Sequence, residues 1–187
     1  MYRTLRQPFH RHLALAAAAF ITGCADQTPL EPALDSAIAQ DVRLSAAAEE
    51  AKAIAEIRRA TARYHDLDAA IADGFVLLHP CEERPGEGPV GIVYVHFGRV
   101  LDGVIDPQSP DALIYEPSTN GRPKLVGAEF AILFSMWTDP TPPQFMGAEF
   151  QPEDEFGVWG LHVWTWRHNP EGMFAESNPN VSCTAES

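Results

Sequence analysis

Apolar residues recur at steps of three and four in the second quarter of the chain, which is the spacing of one face of an α-helix. The largely apolar stripe consists of Ala47, Ala51, Ile54, Ile57, Thr61 and Tyr64. Ser45 stands where it could cap the start of this helix. Asp66 is a second candidate cap and Gly74 a candidate stop, so a short second helix is predicted over 67–73.

After Gly74 the pattern changes to short β-rich runs that are separated by turns. The runs cover 75–78, 92–97, 112–115, 125–137 and 158–167. Segments rich in Gly, Pro and Asn separate them, at 82–89, 106–110, 120–121, 138–143 and 169–172. Because helices come first and strands follow without alternation, the sequence predicts an α+β fold. In this fold the N-terminal helices pack on a mainly antiparallel β-sheet.

The first 24 residues carry a different pattern. A segment with three arginines precedes the apolar stretch Leu13–Ile21, and small residues lead to Cys24. The stretch is shorter than the ~20 residues of a membrane-spanning helix, and its length is typical of a cleaved export signal. The segment resembles a bacterial lipoprotein signal with its lipobox. This resemblance implies that Cys24 is acylated and anchors the protein at the cell envelope, on the periplasmic face of the outer membrane in preference to the inner membrane. An ordinary secretory signal, with Cys24 a plain thiol, is the alternative.

These patterns divide the chain into three parts. Residues 1–23 are predicted to be the lipoprotein signal peptide, 24–44 a tether, and 45–187 a single globular α+β domain that is long enough to bury a core. The chain has 26 acidic against 13 basic residues and a formal net charge of −13. Such a surface repels phosphate and argues against nucleic acid as a partner. The remaining partners are the membrane, through the lipid anchor, and a small ligand or an envelope protein.

Two cysteines remain if Cys24 is lipidated, namely Cys81 and Cys183. In an oxidising compartment an even pair tends to form a disulfide. Here it would join the C-terminal tail to the start of the sheet and close a loop of ~100 residues, for which chain entropy contributes roughly 4–5 kcal/mol. Metal ligation by the pair, with His79 nearby, and two free thiols are the alternatives.

Three polar residues interrupt the apolar strands: His96, Glu129 and His162. A charged group inside a sheet core is costly unless it is paired or coordinated, and the small neighbours of Glu129 leave room for a ligand. Two imidazoles and one carboxylate can bind a divalent ion such as Zn²⁺ or Fe²⁺ with open positions. We therefore predict a shared metal or small-ligand site around these residues. His168 is a further candidate if the last strand extends that far.

The alternative is three unrelated residues, because no local spacing supports the cluster. Glu129 would then lie on a solvated face, and each histidine would hydrogen-bond a backbone carbonyl. Glu149 is a conceivable extra ligand, but the pattern favours a surface carboxylate. The tryptophans could line a ligand groove, although large aromatic side chains are more often part of a core.

Several segments resemble a family of exported bacterial proteins of unassigned function. They are Ala-Asp-Gly-Phe (72–75), Pro-Asp-Ala-Leu-Ile-Tyr-Glu-Pro (110–117), Leu-Val-Gly-Ala-Glu-Phe (125–130), the stretch 161–174 and Asn-Pro-Asn-Val-Ser-Cys (178–183). The resemblance covers roughly residues 60–183. It implies an exported domain and says nothing about activity.

Three functions stay open at this point. The first is a lipid-anchored envelope protein that binds a small ligand or a metal ion. The second is a metal-dependent enzyme that uses His96, Glu129 and His162, with Glu129 as a ligand or general base. The third is a purely structural or partner-binding lipoprotein. The sequence contains no G-x-S-x-G, H-E-x-x-H, P-loop or dinucleotide-binding motif that would point to a particular enzyme class.

Overall fold

A computed structural model describes residues 31–84 and 88–184. The predicted signal peptide 1–23 and Cys24 lie outside the described residues. Within the described ranges, no helix combines the length and the apolar character that crossing a membrane requires. The helices are α1 (Glu31–Thr61), α2 (Leu67–Ala72) and α3 (Phe97–Val100), with a 3-10 turn at Ala62–His65 and another at Phe134–Met136. The strands are β1 (Val76–Arg84), β2 (Gly88–Val95), β3 (Ala112–Glu116), β4 (Lys124–Leu133), β5 (Gln144–Phe145), β6 (Ala148–Glu149), β7 (Gln151–Glu153) and β8 (Val158–Val163).

Six strands form one curled sheet in the order β1-β2-β3-β4-β8-β7, and every neighbouring pair is antiparallel. The short strands β5 and β6 form a separate hairpin. The predicted α+β class with a mainly antiparallel sheet is therefore confirmed. Pro80 and Pro152 lie in β1 and β7, which are the two edge strands. An edge strand tolerates proline because one side of its backbone needs no ladder donor.

Helix α1 is longer than predicted. It begins at Glu31, so the predicted cap at Ser45 is wrong, and the Ser45 hydroxyl instead donates within the helix to the carbonyl of Val42. Residues 31–44 of the predicted tether are thus helical, and their role as a tether stays a prediction. Residues 36–49 are exposed, whereas Ile57 and Thr61 are fully buried. Only the last turns of α1 therefore contribute to the core.

One face of the sheet packs against these helices. Leu113 and Tyr115 of β3 are buried beside Tyr64 and Phe75, and the Tyr115 hydroxyl donates to the Tyr64 carbonyl at 2.7 Å. The second predicted helix is confirmed. The Asp66 side chain accepts from the amide of Asp68 at its start, and Gly74 follows its end with a φ of +102°. Only glycine adopts that backbone conformation without strain.

The opposite face of the sheet encloses a second core. It is built from Val93, Val95, Ala112, Ile114, Val126, Ala131, Val158, Trp164 and Val181, among others. The C-terminal segment reaches this core through Val181 and is joined to β1 by the predicted disulfide between Cys81 and Cys183, whose Cα atoms are 5.3 Å apart. The two cysteines are therefore at disulfide distance, as the disulfide prediction requires.

Four strands end two residues or more away from the predicted position. β4 stops at Leu133 rather than at Trp137, β8 stops at Val163 rather than at Arg167, and β2 stops at Val95 rather than at Phe97. β1 continues to Arg84, into the predicted 82–89 loop. β8 ends because the amide of Trp164 donates to Met173 instead of continuing the ladder with β4. These ends matter for the site, since they decide which polar side chains remain within the sheet.

Candidate functional site

Glu129 and His162 are direct cross-strand neighbours. β4 pairs with β8 so that Glu129 lies opposite His162, and the adjacent pair is Phe130 opposite Leu161. Successive side chains of a strand point to opposite faces. Phe130 and Leu161 pack in the core that contains Ile57 of α1, so Glu129 and His162 point to the other face. Both polar residues are buried, with exposed fractions of 6% and 2%.

Glu153 is the third member of the site. Strand β7 is joined to β8 by a tight turn in which the amides of Phe156 and Gly157 both donate to the Glu153 carbonyl. This turn pairs Glu153 with Val158 and directs its side chain to the face of His162. Gly160 leaves the necessary space, because a Cβ at that position would lie 2.9 Å from the Glu153 Cδ.

The three side chains bring their ligand atoms together. One ligand atom each from Glu129, Glu153 and His162 lies within 4.8 Å of the others. The His162 Nε2 is 3.8 Å from a Glu129 oxygen and 3.9 Å from the Glu153 Oε1. Both separations exceed a hydrogen bond. Four-coordinate Zn²⁺ with bonds of about 2.0–2.2 Å holds neighbouring ligand atoms roughly 3.3–3.6 Å apart. Small closing movements of the side chains would therefore produce a coordination site.

The orientation of the His162 ring is set by a backbone contact. Its Nδ1 lies 2.7 Å from the carbonyl of Glu176, in the segment that follows β8. A carbonyl can only accept, so Nδ1 carries the hydrogen and donates it. In the neutral ring Nε2 then has its lone pair directed at the two carboxylates. A carbonyl behind the ring is the usual support of a metal-binding histidine.

Glu129 and Glu153 place negative charge where little solvent reaches it. The Glu153 side chain is 10% exposed, and its Oε1 has no hydrogen-bond partner within the part of the chain that the structure describes. Glu129 is buried beside it. Two carboxylates so close together and so little exposed repel each other, and a nearby positive charge lowers that cost. A divalent ion between Glu129, Glu153 and His162 would balance both carboxylate charges.

The two carboxylates form part of the wall of an otherwise apolar cavity of about 240 Å³. Its other walls come from β1, β2, β3, β4, β8, α3 and the turn after β7. The apolar lining residues are Leu78, Val95, Phe97, Val100, Leu101, Ala112, Ala131, Leu133, Phe156 and Val158. A metal ion held by three protein ligands would leave coordination positions free, and Glu129 and Glu153 border the cavity.

His96 and His168 do not belong to this cluster, so the prediction that they share the site is wrong. β2 ends at Val95, and the His96 ring caps α3, where its Nδ1 accepts from the amide of Arg99 at 3.3 Å. The ring also packs edge-on against Phe75, on the helix side of the sheet. His168 is exposed beyond the end of β8.

The remaining predicted candidates have structural positions. Glu149 is exposed in β6, which agrees with the interpretation as a surface carboxylate. Trp164 is buried in the core, and its indole NH donates to the Ala175 carbonyl at 2.6 Å. The core role predicted for the large aromatic residues is therefore confirmed for Trp164.

Asp111 is a further buried carboxyl group that sequence reasoning missed. It is fully buried, its Oδ2 accepts from the amide of Ala131 at 2.9 Å, and its Oδ1 has no hydrogen-bond partner in the described ranges. Burial raises the pKa of Asp111 to about 7, and the charge of Asp102 acts in the same direction. The Ala131 amide and the charge of Arg99 oppose this shift.

Comparison with known proteins identifies no relative of this chain. No protein family, curated protein or solved structure matches the chain. The resemblance to exported bacterial proteins therefore stays a prediction, and any statement of function depends on the geometry of the site.

Proposed function

We propose that this protein is a lipid-anchored protein of the cell envelope that binds a divalent transition-metal ion through Glu129, Glu153 and His162. The observation that carries the proposal is the convergence of the buried Glu129 carboxylate and the largely shielded Glu153 carboxylate on the Nε2 of His162. Glu153 would otherwise keep a buried oxygen without a hydrogen bond. The ring of His162 is held in the ligating orientation by the Glu176 carbonyl.

The donor set favours particular ions. Imidazole nitrogen suits Zn²⁺ and Fe²⁺, whereas Mg²⁺ and Ca²⁺ prefer sites made of oxygen ligands alone. Two carboxylates and a neutral imidazole carry two negative charges, so a divalent ion makes the site electrically neutral. Three protein ligands with one open position are typical of sites at which the metal meets a ligand from outside the chain.

The envelope location is supported by the N-terminal sequence alone. The basic segment, the short apolar stretch and the small residues before Cys24 resemble a lipoprotein signal. Acyl chains on Cys24 would supply membrane affinity of roughly 0.8 kcal/mol per buried CH₂. A disulfide between Cys81 and Cys183 agrees with an oxidising compartment.

The test is metal binding by the purified full chain. After metal removal with a chelator and dialysis, titration with Zn²⁺ against a chromogenic competitor should give one tight site for each chain. Glu153→Gln keeps the size of the side chain and removes its charge, and it should weaken Zn²⁺ binding at least ~100-fold, because even outer-shell changes cost 10–100-fold. Glu155→Gln is the matched control, since Glu155 is an exposed carboxylate two residues away.

Two results would contradict the proposal. One is less than ~0.1 equivalent of Zn²⁺ or Fe²⁺ bound by the wild-type chain at micromolar concentrations, well below one site for each chain. The other is equal weakening by Glu153→Gln and Glu155→Gln, which would mean that the acidic surface binds metal without a defined site.

A further inference from the structure

The cavity beside the metal ligands differs from them in chemistry. Among the lining residues in 31–84 and 88–184, Glu129 and Glu153 are charged and the others are apolar. The apolar lining comes from five strands of the sheet and from α3, so several elements of the fold shape the cavity. A concave, mostly apolar cavity with a few polar groups at one place is the usual form of a small-molecule site.

The entrance to the cavity is apolar as well. Phe97 and Leu101 are four residues apart at α3, line the cavity, and are nevertheless 55% and 60% exposed. Their placement leaves two large apolar side chains facing both the cavity and the solvent. A ligand that entered between them would cover that surface, and this burial is favourable at roughly 25 cal/mol per Å².

The size of the cavity limits the ligand. A volume of about 240 Å³ corresponds to roughly eight groups of the size of a water molecule, at ~30 Å³ each. An unbranched chain of about six or seven carbons with one polar atom fits this volume. A long acyl chain of a membrane lipid does not.

The charges of the proposed metal site limit the charge that the polar end of the ligand can carry. If Glu129, Glu153 and neutral His162 hold a divalent ion, the buried site is neutral. An anionic head group would then add an unbalanced charge to an apolar cavity, and a cationic one would compete with the metal. An uncharged oxygen donor such as a hydroxyl or a carbonyl can complete the coordination without either cost.

We infer that the cavity binds a short, unbranched aliphatic molecule with one uncharged oxygen donor, its chain between α3 and the sheet and its oxygen on the metal held by Glu129, Glu153 and His162. This inference rests on the proposed metal site. It names the ligand class that the site accepts, and it can fail while metal binding stands.

Titration calorimetry of the zinc-loaded full chain with the 1-alkanols from butanol to decanol tests the inference. Affinity should rise about fourfold for each added CH₂, the equivalent of ~0.8 kcal/mol, and should stop rising near six or seven carbons, where the cavity is full. Hexanoate and hexylamine should bind at least about tenfold more weakly than 1-hexanol, because each brings a charge.

Two variants distinguish the contribution of the ligand's aliphatic chain to binding from the contribution of its oxygen. Leu101→Ala should weaken 1-hexanol binding about fourfold or more, the worth of at least one lost CH₂ contact, and leave the zinc content unchanged. Leu77→Ala is the matched control, since Leu77 is 54% exposed but does not line the cavity. Glu153→Gln should weaken zinc binding at least ~100-fold and remove the preference for the alcohol along with it.

Three outcomes would overturn the inference while the metal site stands. They are affinity that does not depend on chain length, hexanoate binding more tightly than 1-hexanol, and equal effects of Leu101→Ala and Leu77→Ala. Absence of zinc binding would instead remove the proposed function.

Discussion

The disulfide connects global stability to the metal site. Cys81 and Cys183 are 102 residues apart in the sequence. In the chain-entropy model a loop of about this length contributes roughly 4.7 kcal/mol to the free energy of unfolding. The double variant Cys81→Ala/Cys183→Ala should therefore lose about 4–5 kcal/mol, less any strain that the bond carries. Replacing both residues avoids leaving a free thiol.

The segment that the disulfide holds also carries the support of His162. Between β8 and Cys183 the chain is fixed by the Asn178 amide, which donates to Pro89, and by the Ser182 amide, which donates to the Glu116 carboxylate at 3.1 Å. The Glu176 carbonyl that orients His162 lies in this same segment. Releasing its end should loosen that contact and weaken Zn²⁺ binding about tenfold, the lower range for loss of an outer-shell partner.

Urea unfolding followed by tryptophan fluorescence gives the free energy of unfolding, and competitive Zn²⁺ titration gives the zinc affinity. The wild-type chain with its disulfide intact is the reference, and the wild-type chain reduced under the same conditions should behave like the double variant. Equal unfolding midpoints for the oxidised and reduced chains would refute the entropic argument. A large loss of stability with unchanged zinc affinity would show that the Glu176 carbonyl is positioned without help from the disulfide.

Three further predictions follow from single positions. Asp111 holds its proton to about pH 7 in the folded state, against a usual value of 3.8. The free energy of unfolding should therefore fall between about pH 4 and 7, by an amount on the order of 4 kcal/mol at ~1.4 kcal/mol per unit. Urea unfolding across this range should show the fall for the wild type relative to Asp111→Asn, and parallel curves would contradict the assigned pKa. Gly160→Ala should displace the Glu153 carboxylate and weaken Zn²⁺ binding about tenfold or more with little change in the urea midpoint, and unchanged affinity in the zinc titration would mean that Gly160 does not position Glu153. Cys24→Ser should move the protein from the membrane pellet to the soluble fraction, and its retention in the pellet would argue against the lipid anchor.

The class of fold could be predicted because it depends on the order of local patterns. Helical spacing before Gly74 and short β-rich runs after it leave few arrangements besides helices on an antiparallel sheet. Two members of the site, Glu129 and His162, could be found for a related reason. Each is a polar residue within an apolar strand, and such a residue needs a partner wherever the strand lies.

Glu153 could not be found in the same way. It begins the acidic run Glu153-Asp154-Glu155, which is typical of a solvated turn. Only the β7–β8 pairing, together with the absence of a side chain at Gly160, brings Glu153 to His162. A residue whose role depends on register between strands carries no local signal of that role.

His96 was wrongly assigned to the site because its local pattern is misleading. The run 92–97 is β-rich throughout, yet the strand ends one residue before His96, and the ring caps a helix instead. The start of α1 was missed because its first half packs against little and shows no apolar stripe. Pro32 lies in the first turn of α1, where a proline costs no hydrogen bond.

The exposed half of α1 has a mechanical consequence. Residues 36–49 are helical and exposed to solvent. Because a helix advances ~1.5 Å per residue, this segment is a stiff element of roughly 20 Å. If the chain is attached to the bilayer through Cys24, as proposed, this helix sets a stiff spacing between the anchor and the sheet, which a disordered linker of the same length would not do.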